Sequence, residues 1–157
     1  MTQVSEALAA IDAHHANDYT ERAAALTQQL RQLDADYRRD LEPCRGATLV
    51  TSHTAFGYLA DRYGLHQVGI RGIDPEVEPS PARLGDISEL ITTNDVTTIY
   101  FEVLTSPDVT RALADDLDIT TAVLDPIENQ TTAGIDYLDT MNTNRQALTA
   151  GLTCQPQ

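Results

Sequence analysis

The stretch ATLVTSHTAFGYLADRYGLHQVGIR, residues 47–71, decides how this chain folds. Residues 47–52 are apolar and β-branched, as a short buried strand is. TAFGYLADRY then has helical spacing and stops at Gly64, a residue suited to the left-handed end of a helix. A second β-rich run covers 66–71. Strand, helix and strand in such quick succession form a unit in which the helix carries the chain back so that both strands run parallel.

The same cadence continues downstream, with helix predicted over 81–93, strand over 97–101, helix over 107–117, strand over 120–124 and helix over 131–150. Ser80 with Pro81, and Ser106 with Pro107 and Asp108, read as an N-cap followed by the first helical residues. The expected fold is therefore α/β, a four-stranded parallel sheet flanked by helices. Upstream, Leu8, Ile11, Leu26, Leu30, Leu33, Tyr37 and Leu41 recur at helical steps, Ala23, Ala24 and Ala25 add propensity, and Pro43 stops the run. One long helix over 5–41 is expected, and a break near residues 14–18 would make it two. The chain thus divides at the sequence level into a long helix, 1–42, and an α/β region, 43–157.

The 157 residues are 41% hydrophobic with no Trp, enough for one core built on aliphatic side chains. The 24 acidic residues against 10 basic ones leave a formal charge of -14, which repels phosphate backbones and argues against nucleic-acid binding. No apolar run approaches the roughly 20 residues that cross a bilayer. No basic-then-apolar leader stands at the start, so a cytosolic protein, or a piece whose export signal lies upstream, is expected. Cys44 and Cys154 are far apart and outside any metal-binding spacing, and their positions alone fit free thiols and a disulfide equally.

Three predicted strands run directly into a polar side chain: ATLVTSH ends on His53, VTTIYFE on Glu102 and ITTAVLD on Asp125. In a parallel sheet all three open at the carboxyl edge, where such sheets bind ligands. Imidazole and carboxylate are ordinary ligands of divalent metals, so a metal site is the sharpest reading. Glu102 suits support of an imidazole better than ligation, with pairing to Arg71 as a further use. Pro126 stiffens the turn after Asp125. His14 and His15 are adjacent and cannot share a helix face, and His66 is peripheral. Asp74, Glu76 and Glu78, on the GIDPEVEPSP loop, suit the rim of a cleft or a helix cap. Nucleophile-elbow, phosphate-loop, dinucleotide and HExxH motifs are absent, which leaves catalysis little support.

Taken in order, TSHTAFGYLADRYGL, GIDPEVEPSPARL, IYFEVLTSPDVTRALADDL, TAVLDPIE and DYLDTMNTNRQAL closely resemble the carboxyl-terminal lobe of the zinc- and manganese-binding solute receptors of bacterial metal ABC importers, over about residues 5–150. That resemblance implies one lobe of a two-lobe receptor, a long linker helix, and no enzyme activity. It implies metal ligands at His53 and Asp125, with Glu102 supporting. Histidine at the first position resembles the zinc-type members, with Mn2+ as the alternative. It also implies a Cys44–Cys154 disulfide, an extracytoplasmic parent protein and a membrane permease as partner. The amino-terminal lobe and its two histidines are missing from this sequence, so metal binding by this chain alone is expected to be weak. The helix 5–41 is then free to support a homodimer or a domain swap. A metal-dependent hydrolase-like domain and a structural or adhesive domain associating through the long helix are the rival readings.

Overall fold

The computed structural model describes residues 1–72, 77–102, 107–128 and 134–154. They divide into two compact units, 1–37 and 38–157, and the division falls inside a helix. The first unit holds α1 (Thr2–Ile11), a 3-10 turn (Ala13–His15) and most of α2 (Ala16–Leu41). The single helix expected over 5–41 is therefore interrupted, slightly upstream of the predicted break. Asp12 leaves helical geometry at φ −130° and ψ 80°. Its carboxylate then accepts from Tyr19 Oη at 3.0 Å and meets His15 Nδ1 at 2.8 Å. These contacts, the His15 one first, hold the Asp12 carboxyl below its ordinary value. An aspartate that bonds locally in this way competes with the helix ladder, which is why the break sits there. The 26 residues of α2 still form a helix of linker length, ended at Leu41 by a 3-10 turn containing Pro43.

The second unit is the α/β body. Four strands, β1 (Thr48–Thr51), β2 (His66–Gly69), β3 (Thr98–Phe101) and β4 (Thr120–Val123), are all parallel and lie in the order β2-β1-β3-β4. Helices α3 (Gly57–Tyr63), α4 (Pro81–Thr93) and α5 (Asp108–Asp116) connect them, and α6 (Tyr137–Gly151) closes the unit. The predicted cadence is met element by element, with shorter ends. Ser80 caps α4 by accepting from the Arg83 amide, and Gly64 ends α3 at φ +73°. The start of α6 differs from the expectation at 131. Gly134–Asp136 are not helical, and the helix begins at Tyr137 behind a reciprocal Asp136–Asp139 capping box. Residues 131–133 and Ser106 lie outside the described residues, as do Asp74 and Glu76.

Alternation along the strands gives the sheet two dry faces, as a parallel sheet requires. Val50 and Ile99 pack with Ile87 and Ile91 of α4 and Leu113 and Ala114 of α5 in one core cluster. On the opposite face Leu49 and Tyr100 are buried. There α6 comes so close to β3 that a Cβ on Gly151 would stand 2.5 Å from Tyr100 Oη. Two covalent and ionic ties hold the edges of this unit. The Cys44–Cys154 disulfide, with Cα atoms 4.2 Å apart, joins positions separated by 110 residues. Arg145 of α6 pairs with Asp40, whose carboxyl is held below its ordinary value by Arg39 first and then Arg145.

Candidate metal centre

The strand order itself selects one place on the sheet. From β1 the chain goes to β2 on one side and then crosses to β3 on the other, so the carboxyl ends of β1 and β3 border the point where the winding reverses. Connections leave that point in opposite directions and open a crevice. His53 follows β1 and Glu102 follows β3.

These two side chains meet. Both are about 95% buried, and His53 Nδ1 lies against Glu102 Oε1. Ser52 Oγ donates to the same carboxylate oxygen at 3.4 Å. Burial pushes the Glu102 carboxyl above its ordinary value, the imidazole opposes that shift, and the like charge of Glu128 adds to it. Glu128 is three residues beyond Asp125, so the loop after β4 brings negative charge toward the same crevice.

The backbone around His53 is built to hold the ring in place. Its carbonyl accepts from Thr51 Oγ1 at 2.7 Å, the Ala55 amide at 3.1 Å and Gln67 Nε2 at 3.3 Å. The end of β2 presses against this turn at Gly69, where a Cβ would stand 2.8 Å from Thr54 Oγ1 and 3.2 Å from the His53 carbonyl carbon. Only glycine permits that approach. The three-residue turn explains why α3 starts at Gly57 and not at residue 54. Arg71, the suggested alternative partner of Glu102, reaches Glu78 with Nη2 at 3.2 Å.

Asp125 ends the run that begins with β4, the strand next to β3, and so occupies the same edge as Glu102. Its Oδ1 accepts from the Ile127 amide at 2.7 Å, which closes a tight turn around Pro126. Ile127 has φ +62°, a left-handed conformation that β-branched residues avoid. Asn144 of α6, itself buried, accepts from the Asp125 amide at 2.9 Å and donates to the Asp125 carbonyl at 2.7 Å. Sequence reasoning missed Asn144, Ser52 and Gln67. The one signal was an asparagine in mid-helix, where its propensity is poor.

His14 and His15 are exposed, edge to face at 4.8 Å, and His66 is exposed at the start of β2, so the peripheral reading of all three holds. Among the described residues no group of three or more His, Cys, Asp and Glu side chains is placed to hold a metal ion. A cavity of about 440 Å³ lies at the opposite, amino edge of the sheet, lined by Cys44, Arg45, Thr48, Asn94, Asp95 and Thr153 among others. It contains none of the three strand-end residues.

The chain is 38% identical over 134 residues to the Zinc-binding lipoprotein AdcA of Streptococcus pneumoniae, covering 83% of this chain and 27% of that protein. It is 36% identical over 134 residues to the High-affinity zinc uptake system protein ZnuA of Bacillus subtilis, covering 83% of this chain and 42% of the relative. The solved structure of the laminin-binding protein Lbp of Streptococcus pyogenes superposes with a TM-score of 0.86 at 34% identity, covering 97% of this chain and 60% of that one. The chain thus spans about a quarter to three-fifths of the proteins it matches. Residues 1–151 match the family described as Zinc-uptake complex component A periplasmic, and the chain belongs to that family.

Proposed function

We propose that this chain is the carboxyl-terminal lobe, with its linker helix, of an extracytoplasmic receptor that captures Zn2+ for an ABC importer and hands it to the permease. Residues 1–42, with α2 as the long helix, serve as the linker and 43–157 as the lobe. The function is binding without catalysis. The observation that carries the reading is the buried contact between Glu102 Oε1 and His53 Nδ1 at the switch point of the sheet. A carboxylate on one imidazole nitrogen fixes the ring and leaves Nε2 to ligate, the arrangement that surrounds metal-bound histidines generally. Asp125 supplies an oxygen ligand from the adjacent strand end.

Two donors leave a tetrahedral zinc site half filled, so the remaining ligands come from a second lobe and this chain alone binds the ion weakly. The disulfide supports residence outside the cytoplasm, where such bonds persist. Isothermal titration of the chelator-stripped chain with Zn2+ and Mn2+ tests the reading. Weak, zinc-preferring binding that disappears in His53→Ala is expected, and equal binding by the variant would remove His53 from the site.

A second reading, adhesion, is favoured by the name of the laminin-binding relative. It predicts binding to immobilised laminin that survives His53→Ala and chelation, and a homodimer or swapped pair through residues 5–41 would be its natural multivalent form. Sedimentation with and without zinc distinguishes that use of the helix from its use as a linker.

A further inference from the structure

Asn144 is out of place by every local rule. It sits inside α6, is 98% buried, and spends both ends of its amide on the backbone of a residue 19 positions earlier. Mid-helix asparagine is unfavourable for the helix, and a buried amide is stable only when its donors and acceptors are met. Here they are met by the amide and the carbonyl of Asp125. The turn that follows is strained, because Ile127, a β-branched residue, is held at φ +62°. Such a conformation is unfavourable for a β-branched residue and persists only where its surroundings impose it. Two contacts hold it: the Ile127 amide on Asp125 Oδ1, and the Asn144 clamp on the Asp125 peptide groups.

We propose that Asn144 is the positioning residue for the Asp125 carboxylate, clamping the Asp125–Ile127 turn so that Oδ1 stays committed to the Ile127 amide and only Oδ2 is presented to a zinc ion. This rests on Asp125 being a metal ligand. A carboxylate presented through one fixed oxygen suits the low coordination number of zinc, and the entropy of aiming it is removed before the ion arrives.

The test uses the 157-residue chain with two readouts. In the metal-free protein, Asn144→Leu should raise the hydrogen-exchange rate of the Ile127 amide at least roughly ten-fold, while amides of β1 and β3 keep their protection. With zinc, the same variant should bind roughly ten-fold more weakly, the usual size of effect for a residue that orients a ligand. Asn144→Asp keeps the acceptor and loses the donor, and it is read the same way should the leucine variant fail to fold. Unchanged Ile127 exchange would overturn the clamp. Faster exchange with unchanged zinc affinity, in a series where Asp125→Ala loses binding, would overturn the positioning role and leave Asp125 as ligand. Asp125→Ala matching the unaltered chain toward zinc, in binding or in its absence, would overturn the ligand assignment and this proposal with it.

Discussion

The two edges of the sheet are built on opposite principles. At the amino edge, polar side chains surround a roomy cavity and a disulfide ties the end of α2 to the end of α6. At the carboxyl edge the described residues are tightly constrained: a buried histidine against a buried glutamate, a glycine where no Cβ fits, and an isoleucine in a left-handed turn. The first edge is arranged for stability. The second gives up stability to hold charged and polar groups in fixed directions, which is how functional sites differ from the rest of a fold.

Breaking the disulfide should separate the two edges most strongly. Replacing Cys44 and Cys154 with Ala should cost about 3–5 kcal/mol of stability, since the loop it closes is long. Zinc binding by the molecules that remain folded should be unchanged. Denaturant unfolding and titration at low denaturant read the two quantities, and a loss of zinc affinity without unfolding would show that the edges are coupled.

The second effect is at the other edge. His53→Ala should reduce zinc affinity by at least roughly ten-fold, with little change in the unfolding midpoint, because a buried carboxyl whose pKa is already raised can take up a proton when its partner leaves. A large loss of stability would make His53 a structural residue and erase the contrast.

Glu102→Gln sharpens it further. The amide keeps the shape and hydrogen-bonding capacity but removes a buried charge, so stability at neutral pH should stay the same or rise, while zinc affinity falls roughly ten-fold. Calorimetry with thermal unfolding on the same sample checks both signs.

The smallest effect concerns the tie between α2 and α6. The Asp40 carboxyl is held below its ordinary value by Arg39 and Arg145, so its contribution to stability is complete above the unfolded value near 3.8 and is lost as pH falls through the lower folded value. Arg145→Met should cost about 1 kcal/mol at neutral pH, and the difference from the unaltered chain should vanish at acid pH. A constant difference across pH would mean that packing of the arginine stem, and not charge, was lost.

Most of the fold was legible because its signals are local. Gly64, Ser80 and Pro43 mark element ends by their own backbone preferences, and β-branched runs mark buried parallel strands. The break at Asp12 was harder, since it depends on which side chains an aspartate happens to meet, here His15 and Tyr19. His53, Glu102 and Asp125 could be assigned to one edge of the sheet from sequence because parallel strands deliver their last residues there. The supporting residues could not. Asn144 is brought to Asp125 by the packing of α6, and Gln67 to the His53 carbonyl by strand register, neither of which a one-dimensional pattern encodes.

The central claim is that His53 gives its Nε2 to zinc while Glu102 holds its Nδ1. Long-range proton–nitrogen NMR of the four histidine side chains during zinc titration tests this most directly. The account predicts that zinc displaces the Nε2 resonance of His53 while its Nδ1 stays protonated, and that His14, His15 and His66 are unmoved at the same concentrations. Zinc that shifts only those surface histidines, or leaves His53 untouched, would contradict it.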